Sequence, residues 1–445
     1  MSFALLLFLV VLCLALIIVL TSVLKLNTFL SMLVVSLLLG IATLPAPDVV
    51  PVVTAGFGGT MKTIGLVIIL GVMIGVLLEK TGATLSLARA LLRLTGEKKA
   101  GLAVGLTGLL VGVPIFCNSG FIVLSGLNKS LVQKTGQPMI KLATMLAAGL
   151  YSVHCLIPPH PGAMAAVGLL KPDIGTLLLF GLIVAVPAAA ASFLWAHFAC
   201  RKEVVASPDH SGANNAAPVG DSDLPSAGHA LLPILVPLLL MAAKSIFMLR
   251  SKEAASFVGR MVDLVGNPEI ALLVGVALAI TLFKKIDRQS LGELFDRAIE
   301  QAGPTLVLTS AGGVFGAVIK ATGVGEQAGG HLAASGLGLI IPFAIAAFLK
   351  TAQGSSTVAT MTAASIVAPM LAALHLDGDS GRVLATLALG AGSMTVSHAN
   401  DSYFWVVTKF SGLDAGKALR VYTPATLVMG LTAFAVIWIC SLFML

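Results

Sequence analysis

The sequence predicts an all-α polytopic membrane protein of about 10–12 spans, built as an inverted repeat with broken helices and two re-entrant hairpins. Three observations predict it. The 445 residues are 57% hydrophobic and only 11% charged, whereas a soluble chain carries about a quarter charged residues. Apolar runs near the roughly 20 residues that cross a bilayer recur from end to end, as in Phe3 to Leu24, Ile174 to Ala199 and Thr423 to Leu445. Small and polar residues interrupt those runs at corresponding places in the two halves of the chain.

The first run lacks a basic n-region and a small-residue cleavage site, so it reads as a retained span rather than a removed signal. A span follows at about 61–78, and residues 83–95 suit a helix in the membrane interface, with Leu87, Leu91 and Leu94 on one face and Arg89 and Arg93 elsewhere. A hairpin is expected at about 101–128. The polar stretch 201–228, rich in Ser, Pro, Asn, Asp and Gly, reads as a cytoplasmic linker between an N-terminal repeat (1–200) and a C-terminal repeat (229–445). The second repeat carries a span at about 266–283 and a hairpin at about 336–372.

Self-similarity supports the division. Gly71, Gly75, Thr81 and Gly82 meet the same residue types at the same spacing in Gly312, Gly316, Thr322 and Gly323, and Asn27 and Asn267 each precede an apolar span. Placing the basic segments 80–99 and 284–297 on the cytoplasmic side makes corresponding spans run in opposite directions. Two thirds of the 27 Lys+Arg residues then lie inside, with both termini outside. The net charge of +7 is scattered through short loops as a topology signal, which excludes a nucleic-acid partner. Five cysteines without CxxC or metal spacing imply neither a disulfide framework nor a metal site, and no cofactor motif occurs.

Backbone that leaves the helix at membrane depth needs protein or a water-filled cavity around it, so breaks point to a site. One is Pro114 to Gly120, with Asn118, Ser119 and Gly120; another is His154 to Pro161, with His154 and His160. A third is Lys350 to Thr357, with Gln353, Ser355, Ser356 and Thr357, and a fourth is Ser397 to Ser402, with His398, Asn400 and Asp401. Asn118-Ser119 and Ser355-Ser356-Thr357 have the composition of hydroxyl-capped helix N-termini, whose free N–H groups and positive dipole suit a carboxylate; packing between helices is the alternative. Six residues apart, the two histidines of the second break do not share a helix face, which argues against a metal pair. Asp401 within a span is costly and therefore expected to be functional, to pair with His398 or to cap a helix. Lys350 is expected either to attract an anion or to snorkel outward. Asp401, His154, His160 and His398 are the candidates for a proton-coupling group. No Ser, Cys or metal constellation of an enzyme accompanies the histidines, and an enzyme and a channel are the competing classes.

These breaks resemble the gluconate permease family of the ion transporter superfamily. The resemblance covers the whole chain and rests on His154 with Pro158-Pro159-His160-Pro161-Gly162, on Gln353 to Ala359, and on Ser397 to Ser402 followed by Phe404-Trp405. It implies an inverted-repeat secondary transporter in the inner membrane, working as a homodimer in the lipid bilayer, that takes up gluconate or a related small organic anion with a co-transported proton. Two departures bear on this. Asn118 stands where many members carry Glu, which leaves sodium coupling open. Tyr403 replaces a small residue, which leaves open a smaller hydroxy acid or amino acid such as glycerate or D-serine.

Overall fold

The computed structural model describes residues 2–201, 224–250, 256–324 and 337–445. Most of the expected 201–228 linker, and position 336 of the second hairpin, lie outside the described residues. Among these the chain is helical, with no strand.

Seven described helices are long and apolar enough to cross a bilayer, or eight if Phe257–Val265 and Pro268–Ile280, bent by 62° at a short break, form one span. The rest of the apolar sequence is cut into shorter pieces: Ala100–Val111, Ile340–Gln353, Ser356–Val367 and Asp379–Ser393. At 1.5 Å per residue each reaches only roughly 20 Å, short of the hydrocarbon thickness. The terminal helices Phe3–Ile18 and Ala415–Met444 leave Phe8, Leu442 and Phe443 more than half exposed. Such a surface is tolerable where the solvent is lipid. Helix Met139–Leu156 sits at the centre instead, with every residue from Leu142 to Leu156 buried.

Local sequence sets several helix starts. Asn27 accepts from the Leu30 N–H at 3.2 Å and Asn267 from the Glu269 N–H at 3.1 Å. The two asparagines therefore each cap a helix, Thr28–Thr43 and Pro268–Ile280, each cap worth about 1 kcal/mol. Behind each cap comes a long helix, Ala46–Lys80 and Arg288–Ala321, of 35 and 34 residues. The span expected at about 61–78 is thus the second part of one longer helix. Arg288 and Arg297, expected in a basic loop, occupy the first turns of another, begun by Asp287 accepting from the Ser290 N–H at 2.8 Å.

Glycines let the two long helices meet, and let the interrupted segments press against them. A Cβ on Gly56 would strike the Gly313 carbonyl and Ala317. One on Gly71 would run into Pro159, and one on Gly75 into the Pro114 carbonyl. In the other half Gly312 faces Met361 and Gly316 faces Ser365, whose hydroxyl donates to the Gly312 carbonyl at 2.8 Å. The GxxxG pairs therefore seat broken elements, as small residues do at close helix contacts. Helix Ala83–Thr95 follows Gly82, which takes a φ of +71°. It buries Leu87 and Ala88 and leaves Leu94 83% exposed.

Candidate functional site

All four breaks occur. Helix Ala100–Val111 stops and Cys117–Thr135 begins. Met139–Leu156 stops at Ile157, and Pro161–Leu170 begins with His160 as its N-cap. Ile340–Gln353 ends at Gly354, with φ +82°, and Ser356–Val367 begins at once. Asp379–Ser393 stops, and Ser402–Phe410 begins at Asp401. A cavity of about 360 Å³ opens where they converge, within the range of small-molecule sites. Asn118 and Ser119, His154, Ser355 to Thr357 and Asp401 line it, together with Tyr151, Tyr403 and Thr305.

Two of the helix starts differ in how they are capped. Ser355 accepts from the Val358 N–H at 3.3 Å, the hydroxyl cap the sequence predicts. Cys117–Thr135 instead begins after Phe116, which offers no side-chain cap, so Asn118 and Ser119 sit in the first turn. Among the described residues, the N–H groups of Cys117, Asn118, Ser119, Ser356 and Thr357 have no protein acceptor. All five belong to residues that line the cavity. Orphan amides at the positive ends of two helices form a receptor for an anionic group.

The histidines form a dyad that spacing alone does not predict. Because the helix ends at Ile157, His160 turns back, and its Nδ1 lies 3.3 Å from Nδ1 of His154. His160 Nε2 lies 2.6 Å from the Gly112 carbonyl oxygen. A carbonyl only accepts, so this Nε2 carries the hydrogen. In neutral His160 the Nδ1 is then an acceptor, and His154 Nδ1 must donate to it. That leaves Nε2 of His154, the ring that lines the cavity, as an acceptor without a protein partner among the described residues.

Asp401 and Lys350 form a buried ion pair. Lys350 Nζ lies 2.6 Å from Asp401 Oδ2, with side chains 0% and 4% exposed. Lys350 also donates to the Gly354 carbonyl, and Ser397 Oγ donates to Asp401 Oδ2 at 2.5 Å. Asp401 Oδ1 accepts from the Tyr403 N–H at 2.9 Å, capping the last broken helix. Lys350 therefore does not snorkel, and the partner of Asp401 is this lysine rather than His398.

The remaining sequence-predicted residues stand behind the lining. His398 Nε2 and Asn400 Nδ2 both reach the Thr351 carbonyl, at 3.2 and 2.7 Å, tying one break to the end of helix Ile340–Gln353. Gly354 fits only as glycine, because a Cβ would enter the Asn400 backbone. Gly120 packs toward Leu150, and the Gln353 amide is buried without a protein partner. Missed by sequence reasoning were Tyr151, Thr305 and the depth of Lys350. The chain holds three tyrosines, and all gather here: Tyr151 and Tyr403 have ring centroids 5.2 Å apart, Tyr403 and Tyr422 6.3 Å, and Lys350 lies 5.7 Å from the Tyr151 ring. Their scarcity in so apolar a chain was the available signal.

A polar chamber at the meeting point of interrupted helices, inside a bundle whose outer surface is apolar, defines a multi-pass membrane permease. Residues 5–443 match the family described as GntP family permease, and the chain belongs to that family. The gluconate permease of Pseudomonas aeruginosa is 32% identical over 432 residues, covering 96% of this chain and 95% of its own length. The Gnt-II system L-idonate transporter of Escherichia coli K12 is 30% identical over 415 residues, covering 92% and 93%. In fold the chain is similar to the YdaH transporter of Alcanivorax borkumensis, with a TM-score of 0.64 at 16% identity over 93% of this chain and 97% of that one. It is also similar to MtrF of Neisseria gonorrhoeae, with a TM-score of 0.60 at 14% identity over 89% and 86%.

Proposed function

We propose that this permease takes up gluconate or a related sugar acid together with a proton across the inner membrane by alternating access. The observation that carries the reading is the set of five unpartnered amides on two helix N-termini facing one chamber. A carboxylate accepts from up to about four of them, while Asn118, Ser356, Thr357 and the open Nε2 of His154 meet hydroxyls. Relatives named for gluconate and L-idonate transport support the substrate class.

The proton enters at Nε2 of His154, because among the described residues lining the chamber this imidazole is a titratable group whose acceptor nitrogen has no protein partner. Asp401 already accepts from Lys350, Ser397 and the Tyr403 amide, and the adjacent ammonium favours its charged form. Around the chamber two inverted halves, each with a re-entrant hairpin, rock against each other in a homodimer, with both chain termini outside. Matching Asn caps, paired long helices and paired breaks support that arrangement. Tyr403 in the chamber wall favours a second reading, a shorter hydroxy acid such as glycerate.

Reconstituted protein decides between them. Uptake into proteoliposomes under an imposed proton or sodium gradient, with gluconate, L-idonate, glycerate and D-serine as competitors, should show gradient-driven, saturable accumulation of a sugar acid. Accumulation driven by sodium alone, or a product chemically altered on passage, defeats the reading.

A further inference from the structure

We infer that the Lys350 ammonium fills an alkali-cation site built into the second interrupted hairpin. Among the described residues, Lys350 and Asp401 are the only Lys, Arg, Asp or Glu side chains that are buried. The ammonium donates to the Gly354 carbonyl, at the C-cap of helix Ile340–Gln353, and to Asp401 Oδ2. Ser397 Oγ lies 2.5 Å from the same carboxylate oxygen. A carbonyl at the negative end of a helix, a carboxylate and a neighbouring hydroxyl are the oxygen set a hard cation takes. Half-helix C-terminal ends with unwound carbonyls are where transporters hold coupling ions. One carboxylate balances one positive charge, so the site suits a monovalent rather than a divalent ion.

The first hairpin repeats the arrangement with a different nitrogen. Helix Ala100–Val111 has its C-cap at Gly112, and the Gly112 carbonyl accepts from Nε2 of His160. The first helix of each hairpin thus ends on a carbonyl that takes an N–H from a basic side chain, and in the second hairpin that side chain is an ammonium. An ordinary buried ion pair needs no such helix end and no access. Here Asp401, Ser355 and Tyr151 line the chamber, and the ammonium lies 5.7 Å from the Tyr151 ring. Once the lysine side chain is removed, an ion entering the chamber can reach the carboxylate. The tethered ammonium makes a bound alkali ion unnecessary at this position in the parent protein. As an explanation of coupling without sodium, that statement rests on the proton-driven reading above; the cation site does not.

Thermal melting of the purified full-length protein in sodium, potassium or choline chloride at equal ionic strength tests the site, using Lys350→Ala. In choline this variant should melt well below the parent. Sodium or potassium should raise its melting temperature by several degrees along a saturating one-site curve, and the more effective of the two identifies the ion. The parent, whose site is occupied, and Lys350→Ala/Asp401→Asn, which lacks the carboxylate, should melt alike in the three salts. Should Lys350→Ala fold in none of them, Lys350→Ser, whose hydroxyl adds an oxygen to the vacated space, must show the same rescue. Equal melting of the single variant in all three salts overturns the site. Failure of both single variants to fold in sodium and in potassium overturns it too, because the ion is expected to replace the missing charge. A rise of equal size in the parent makes the response a general salt effect and has the same consequence. Melting requires no substrate, so an error in the substrate or in the coupling proton leaves these readings unchanged.

Discussion

Lys350 and Asp401 meet at 2.6 Å with almost no solvent exposure, joining the end of one interrupted helix to the start of another. A lone charge at this depth costs several kcal/mol, so each side chain is tolerable only because the other is there. Ser397 and the Tyr403 amide also donate to the carboxylate, and Tyr151 lies beside the ammonium. The pair fixes the back wall of the chamber at the place where its floor helix begins.

Removing one charge should therefore cost more than removing both. Asp401→Asn leaves the Lys350 ammonium buried without a counter-charge and should destabilise the protein by about 3–5 kcal/mol. The double variant Lys350→Met/Asp401→Asn should recover most of that loss. Thermal unfolding of the three proteins in one detergent measures it; a single variant that melts with the parent would mean that the pair does not hold the wall.

Coupling and binding separate at His154. Gln at this position keeps a polar group in the wall but cannot carry a proton, so His154→Gln should abolish accumulation driven by a proton gradient. Exchange of labelled for unlabelled substrate across the membrane, which needs no net proton movement, should persist within about tenfold. Full proton-driven accumulation in the variant would move the proton to another residue. Loss of exchange in the parent protein itself would instead reject the sugar acid as substrate.

The parts of this site that were legible in the sequence are those set by neighbours in the chain. Ser355 after Gly354 marks a helix start because a hydroxyl cap acts over three residues, the prolines at 158 and 159 prevent one helix from continuing, and Pro161 fits the first position of the next. The dyad was hidden because helical spacing separates residues six apart, whereas the break after Leu156 folds them together. Nothing local ties Lys350 to Asp401, which lie 51 residues apart; only the folded bundle does. The basic segment at 284–297 looked like a loop by hydropathy, yet from Arg288 it is helix, because a helix extending past the membrane needs no apolar residues. Tyr151 lies inside helix Met139–Leu156, before its break, and Thr305 inside helix Arg288–Ala321, which Pro304 does not interrupt, so neither stands at a break.

The anion site itself can be tested by deleting a backbone donor. Ser356 is the first residue of its helix, the one position where proline fits without breaking the helix, and Ser355 before it is already extended at ψ 120°, as a residue preceding proline must be. Relative to Ser356→Ala, which removes the hydroxyl alone, Ser356→Pro removes one N–H from the chamber and should raise KM roughly 10- to 100-fold, the worth of one hydrogen bond to a charged group. Melting should shift little. Ser355→Ala should do the reverse in part, lowering stability by about 1 kcal/mol through the lost cap. An unchanged KM in Ser356→Pro would show that the substrate anion binds elsewhere.

Substrate length should be set by Tyr403, which is buried, lines the chamber and packs its ring tilted against Tyr151. Its hydroxyl reaches the Ala147 carbonyl at 3.3 Å, so the ring is held upright in the wall. Replacing it by serine adds space for several carbon atoms, and each methylene a pocket admits or refuses is worth about 1–3 kcal/mol. Tyr403→Ser should therefore shift the ratio of inhibition by gluconate to that by glycerate at least about tenfold toward gluconate. Tyr403→Phe keeps the ring, loses one hydrogen bond worth about 1 kcal/mol of stability, and should leave the ratio as it is. Competition for uptake by the two acids in proteoliposomes reads both variants; a ratio that moves equally in each would assign the effect to the lost hydroxyl rather than to the size of the chamber.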